Sequence, residues 1–279
     1  MTFDDDASIK GGRVSKRGRN TGIAVGGGGL GLVAIVLISQ LLGVDLTGLI
    51  DPNAGAPVAE STDLEKCETG EDANENIDCR MQAAATSLDE FWQGQVQGYT
   101  PPQMVLFTQS TNTGCGGATS AVGPFYCPPD QTVYLDTTFY DDLRSRFGAT
   151  GGPLAQLYVV AHEWGHHIQN IAGIMEGLDL QTTGPSSDGV RLELQADCFA
   201  GAWAGDAPLL EPITPEQMRD ALDAAEAVGD DNIQESTSGQ VQPETWTHGS
   251  SDQRQRWFRA GYDGGVDACD TFAVPAGSL

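Results

Sequence analysis

The stretch Ala161-His162-Glu163-Trp164-Gly165-His166-His167 decides how this chain is read. It lies inside an apolar segment, residues 154–174, where Leu154, Leu157, Tyr158, Ala161, Trp164, Gly165 and Ile168 recur at helical spacing. Residues three and four apart share a helix face, so the segment is predicted to be a helix packed along one side. On it His162 and His166 project from the same face one turn apart, with Glu163 beside them. The pattern is HExxH, in which two neutral imidazoles suit zinc and the intervening carboxylate suits a general base acting on water. A core helix with incidental histidines is the competing reading, and with four histidines in the whole chain it is a poor one.

A catalytic zinc site needs a third protein ligand and an open position. Glu193-Leu194-Gln195-Ala196-Asp197 falls on a further predicted helix, residues 190–204, where Glu193 and Asp197 share a face. Glu193 is expected to complete the ligand set with His162 and His166, one Zn2+ per chain. Asp197 is expected to accept a hydrogen bond from a ligating imidazole, most plausibly that of His162, fixing its tautomer. ExxxD alone would be read as a solvated acidic face; flanked by Leu192, Leu194, Ala196 and Phe199 after an HExxH helix, it reads as part of the site. His248, in Thr247-His248-Gly249-Ser250 ahead of another helix, is the candidate donor to an oxyanion, weighed against a surface histidine beside a cap. Tyr262 and Tyr134 are lesser candidates for that role, and His167, turned off the ligand face, is assigned to packing.

The rest of the chain supplies context. Five of the fourteen basic residues (Lys10, Arg13, Lys16, Arg17, Arg19) lie in the first twenty positions, and from Val44 onward 9 basic residues face 36 acidic ones, 9 − 36 = −27. Such a surface repels phosphate backbones and excludes nucleic acid as a partner. Residues 1–22 form a polar basic tail expected to be disordered and cytoplasmic. Residues 23–43 (IAVGGGGLGLVAIVLISQLLG) carry no charge over about a bilayer's thickness and are expected to be a single transmembrane anchor, with the basic cluster held inside. A cleaved signal peptide with Ala54-Gly55-Ala56 as its site is the alternative. Residues 44–60 read as a linker, and residues 61–279 as one extracytoplasmic domain.

Within that domain, residues 77–96 read as an amphipathic helix and 103–108 as a short strand. Thr132–Leu135 reads as a strand on whose free edge an extended peptide could lie, with ordinary sheet structure as the alternative. Helices are further expected over 138–147 and 153–173, then from a Thr214 cap to about Val228 and over 252–262 with Ser250 and Gln253 as a capping box. Residues 230–245 show no usable pattern. The six cysteines, Cys67, Cys79, Cys115, Cys127, Cys198 and Cys269, allow fifteen connectivities. Proximity in sequence suggests Cys67 with Cys79 and Cys115 with Cys127, leaving Cys198 with Cys269; a thiolate metal site is disfavoured because no CxxC occurs.

HEWGHHIQN, ELQADCFAGAWA and THGSSDQRQRWF together resemble the neutral zinc metallopeptidase family, gluzincin-like in joining HExxH to ExxxD, over roughly residues 63–272. The resemblance implies an α+β, mainly helical zincin-like domain with a small sheet, following one N-terminal transmembrane helix. It implies a zinc-dependent peptidase acting on peptide or protein, with His162, His166 and Glu193 on the metal and Glu163 as base. A membrane-tethered, noncatalytic module with a structural zinc, or a metal-dependent amidase acting on non-protein envelope material, are the rival expectations.

Overall fold

The computed structural model describes residues 2–11, 13–17, 60–61, 63–146 and 148–279. The predicted anchor, residues 23–43, lies outside the described residues; among these, no helix is long and apolar enough to cross a membrane. The fold is α+β, with helix predominating over a small sheet. Its strands and helices are β1 (Val14–Arg17), β2 (Glu60–Ser61), α1 (Gly70–Glu75), α2 (Ile77–Gln95), β3 (Gln103–Phe107), β4 (Ser110–Thr113), β5 (Gly116–Thr119), β6 (Phe125–Cys127) and β7 (Thr132–Leu135). Then follow α3 (Phe139–Ser145), α4 (Pro153–Ile171), α5 (Asp188–Gly205), α6 (Pro215–Ala227), α7 (Asp230–Ser238) and α8 (Ser251–Gly264).

The chain divides into two compact units, and the division falls within α2. Among the described residues, the first lies within 3–17, 60–86 and 101–139 and holds the sheet, in the order β2-β1-β3-β7-β6. β1, β3 and β7 run parallel, while β2 and β6 pair antiparallel on the two flanks. Val105, Phe107, Phe125 and Tyr134 pack with the Cys115–Cys127 disulfide into a buried cluster. The β4–β5 hairpin forms a separate ribbon.

Two expectations fail in this unit. Thr132–Leu135 is a strand with the predicted bounds, but it is hydrogen-bonded to β3 on one side and β6 on the other. With both ladders filled, β7 has no free edge for a peptide to join. The first residues are not a structureless tail either: β1 pairs with β3, and Phe3 and Ile9 are fully buried. Two isolated apolar anchors have no period to detect, and the groups that cover them lie some sixty residues away in sequence.

The second unit comprises residue 2, residues 87–100 and residues 140–279. α4 starts at Gly152 with Pro153 in its first turn, where the missing N–H costs nothing. Ser187, Thr214 and Ser250 cap α5, α6 and α8, the last two as complete capping boxes with Gln217 and Gln253. Trp164, Trp203, Tyr158 and Phe258 are buried in the core, and Trp92 meets Phe199 edge to face.

Close helix contact here depends on missing side chains. A Cβ on Gly165 would stand 2.9 Å from Ala196 Cα, so the glycine of HEWGH lets α5 approach α4. A Cβ on Gly201 would stand 1.9 Å from the Phe258 carbonyl oxygen, and one on Gly261 1.9 Å from that of Cys198, so α5 and α8 cross almost backbone to backbone. Helix α7 was not expected. Ile233 is its only buried apolar side chain, too little for a period, yet Asp230 and Asp231 suit the positive N-terminal end and Gly239 closes the helix in the left-handed region (φ 69°). The three disulfides are Cys67–Cys79, Cys115–Cys127 and Cys198–Cys269, the pairing suggested by proximity.

Candidate metal centre

The second unit brings His162, His166 and Glu193 together. One donor atom from each lies within 4.8 Å of the other two. Glu193 Oε2 is 3.1 Å from His162 Nε2, Glu193 Oε1 is 3.5 Å from His166 Nε2, and the two rings stand edge to face with centroids 4.7 Å apart. Four ligands placed tetrahedrally at about 2.0–2.1 Å from zinc are separated by roughly 3.3 Å. The two contacts, one to each oxygen of Glu193, are close to that edge length, and two imidazoles with one carboxylate gathered within 4.8 Å are a zinc-type donor set, so the residues fit the metal.

Each imidazole is oriented from its far nitrogen. His162 Nδ1 lies 2.8 Å from Asp197 Oδ1, the partner predicted for it. Asp197 is fully buried and also accepts from Tyr158 Oη (2.5 Å), Arg254 Nε (2.8 Å, to Oδ2) and Arg254 Nη2 (3.0 Å, to Oδ1). Burial opposes its ionisation, but Arg254 and then His162 outweigh it and bring the pKa down to about 2. Burial also opposes a charged His162; the carboxylate of Asp197, by charge and hydrogen bond, with Glu193, lifts its pKa to about 10. His166 moves upward against burial for the same kind of reason, chiefly the charge of Glu193, and Glu193 is pushed well below the carboxylate range despite burial by the charges of His166 and His248.

His166 Nδ1 is 2.9 Å from Gln169 Oε1. The Gln169 amide, fully buried, donates to the Leu192 carbonyl (2.7 Å) and Gln195 Oε1 (3.1 Å), and Gln195 Nε2 donates to the Cys269 carbonyl (3.0 Å). A single chain of amides thus runs from the Cys198–Cys269 bridge to the second histidine.

Glu163 is buried and its charge acts on His166. His248 is not one of the three clustered donors, but Glu193 is the leading charge favouring its protonated form, raising its pKa against burial, so it stands within electrostatic reach of the centre. Its loop is pinned by Asp230: Oδ2 accepts from the backbone N–H of Thr247 (2.8 Å), His248 (2.7 Å) and Gly249 (3.0 Å), and Oδ1 lies 3.4 Å from His248 Nδ1. Thr247 Oγ1 is 2.8 Å from the same nitrogen. His167 packs as expected, with Nε2 2.7 Å from the Thr100 carbonyl oxygen, and burial lowers its pKa. Tyr262 has its backbone against Gly205, and Tyr134, in the first unit, gives its hydroxyl to Asp130 (2.8 Å).

Arg254, Tyr158, Gln169 and Asp230 had no predicted role in the site. Tyr158 and Gln169 carried a signal, since they stand four residues before His162 and three after His166 on the same helix face. Arg254 and Asp230 reach the site from other helices; Arg254 lies in the stretch THGSSDQRQRWF, but no spacing rule ties either residue to the ligands.

The family model described as "Putative neutral zinc metallopeptidase" matches residues 3–272. An uncharacterized protein of Mycobacterium tuberculosis is 48% identical over 250 residues, covering 85% of each chain. The uncharacterized protein YpfJ of Escherichia coli K12 is 40% identical over 257 residues, covering 88% of this chain and 87% of its own. No solved structure matches the chain.

Proposed function

The chain belongs to this zinc metallopeptidase family, and on that premise we propose that it hydrolyses peptide bonds at the centre formed by His162, His166 and Glu193, with Glu163 as the general base. The observation that carries the reading is the donor cluster: one ligand-type atom from each of His162, His166 and Glu193 lies within 4.8 Å of the other two, and the two imidazoles are held from behind by Asp197 and Gln169. When bound, zinc supplies a Lewis acid that polarises a carbonyl and makes water more acidic.

The remaining work falls to the chain. Asp197, held ionised by Arg254, keeps the His162 Nδ1 proton on the side away from the metal. Glu163 removes a proton from the attacking water and passes it to the leaving amine, so no net charge accumulates on the substrate nitrogen. His248, with Nδ1 turned to Asp230 and Thr247, offers Nε2 to the oxyanion that develops on the scissile carbonyl. Three disulfides support an oxidising compartment for this activity.

The test is to load the full-length chain with zinc, incubate it with a peptide library with and without chelator, and map cleavage by mass spectrometry. Chelator-sensitive cleavage and about one zinc per chain are expected. Glu163→Gln should retain zinc and lose turnover by at least about 100-fold. Zinc held firmly with no cleavage of any peptide would instead favour a structural metal, and full activity in Glu163→Gln would remove the base from the scheme.

A further inference from the structure

Residue 269 is gripped twice by α5. Cys198 takes its side chain in a disulfide, and Gln195, one turn earlier on the same helix face, donates from Nε2 to its backbone carbonyl (3.0 Å). Glu193 and Asp197, two residues to either side of Gln195, address the histidines instead. Every group on this path is buried: Cys198 and Gln169 are 0% exposed, Cys269 2% and Gln195 6%. With bulk water excluded, each donor must meet an acceptor within the chain.

A backbone carbonyl can only accept, and that fixes the direction of everything beyond it. Facing the Cys269 carbonyl, Gln195 must present Nε2, which turns its Oε1 toward Gln169. Gln169 must answer with its own Nε2, shared between Gln195 Oε1 (3.1 Å) and the acceptor-only Leu192 carbonyl (2.7 Å). Its Oε1 is then the atom left for His166, and an amide oxygen 2.9 Å from Nδ1 requires a proton on that nitrogen. In the neutral imidazole that a metal needs, the free lone pair is thereby placed on Nε2, the atom facing Glu193 Oε1 (3.5 Å). Flipping either amide would set donor against donor in a buried position.

The far end of this path is held largely by the bridge. The chain leaves α8 at Gly265 (φ 68°) and makes only a short turn, Val266–Ala268, before Cys269. Arg191 docks the chain beyond by donating to the Thr271 and Val274 carbonyls, but at residue 269 the covalent tether to α5 is Cys198. Resting on the zinc reading above, we propose that Gln195 is a positioning residue for His166 and that the Cys198–Cys269 bridge acts on the centre through it, so that the centre gains its full metal affinity only once the bridge has formed. Formation is a thiol–disulfide exchange: the two thiols become the disulfide, and a disulfide-bearing oxidant takes up their two electrons and two protons and leaves as a dithiol. Both sulfurs are buried in the finished fold, out of reach of an attacking thiolate, so the step belongs to maturation.

The test is a cycle on the full-length chain. The parent, Gln195→Met, the pair Cys198→Ala with Cys269→Ala, and the triple variant are titrated with Zn2+ against a chromophoric chelator. Gln195→Met and the cysteine pair are each expected to weaken binding by roughly 10-fold, and the triple variant by no more than either, because both changes break one path. Factors that multiply would overturn the proposal, as would unchanged affinity in Gln195→Met. A misfolded cysteine variant would also bind weakly, so a second measurement uses Gln195→Met alone with Co2+ in place of zinc. The ring N–H of each coordinated histidine then gives a paramagnetically shifted proton resonance that exchanges with water. Gln195→Met should shift one of the two, the one that Gln169→Leu also alters, and speed its exchange while the other stays. Equal change in both, or in neither, would overturn the coupling and leave the metal centre intact. A parent chain that holds neither Zn2+ nor Co2+ would overturn the centre and this proposal together.

Discussion

Asp197 accepts hydrogen bonds from Tyr158, His162 and Arg254 while fully buried, a position in which a carboxylate is stable only because so many donors converge on it. Its counterpart behind His166 is a neutral amide, Gln169. An amide accepts through its oxygen and donates through its nitrogen, so it fixes His166 and is itself fixed by the Leu192 carbonyl and Gln195. Gln169→Leu should therefore weaken zinc binding by roughly 10- to 100-fold, measured by competition with a chromophoric chelator, because the ring loses its restraint while remaining available as a ligand. Unchanged affinity would show that packing alone orients His166. Proton release provides a second check. With the His162 pKa near 10 before metal binds, zinc uptake at pH 7 must expel at least that proton. Calorimetry in buffers of different ionisation enthalpy should show the release, and affinity should increase with pH.

At the scale of elements, the site is where α4, α5 and α8 meet, and glycines set the spacing. α5 carries Glu193 and Asp197; α4 carries His162 and His166; α8 carries Arg254. Gly201→Ala would drive a methyl group into the Phe258 carbonyl, forcing α5 and α8 apart. A loss of about 1–3 kcal/mol or more in urea unfolding is expected, along with weaker zinc binding as Arg254 withdraws from Asp197. An alanine variant as stable as the parent would contradict the close crossing. The Cys198–Cys269 bridge joins α5 to the segment that follows α8, residues 71 apart, and closing a loop of that length lowers the entropy of the unfolded chain by an amount worth about 4 kcal/mol.

For the molecule as a whole, the charges at the centre link stability to both pH and metal. Asp197 has its pKa lowered to about 2, so its contribution is present above the unfolded value of 3.8 and is lost as pH falls through 2. His162 is raised to about 10 in the metal-free state, so its contribution is full below the unfolded value of 6.5 and is lost as pH rises through 10. The metal-free protein should then show its highest Tm between about pH 4 and 6.5, with a decline above that range that zinc removes, because the metal replaces the protons on the histidines. Thermal scans across pH, with chelator and with zinc, measure this directly. A metal-free optimum above pH 8 would contradict the ion-paired arrangement.

The sequence by itself determined whatever depends on spacing within one segment. HExxH placed two imidazoles and a carboxylate on one face of α4, ExxxD did the same for Glu193 and Asp197 on α5, and the capping boxes at Thr214 and Ser250 located two helix starts. These follow from helix pitch and from backbone groups that must find partners locally. Only the tertiary structure decided which distant groups meet: Arg254 on Asp197, the amide chain from Cys269 to Gln169, Asp230 under the His248 loop, and β7 enclosed between two neighbours. It also converted a basic, patternless N-terminus into part of the sheet, since Phe3, Ile9 and Lys16 gain their meaning from residues 68–82. Hydrogen bonds, charge and burial act through space, and a partner sixty residues away leaves no period in the local sequence.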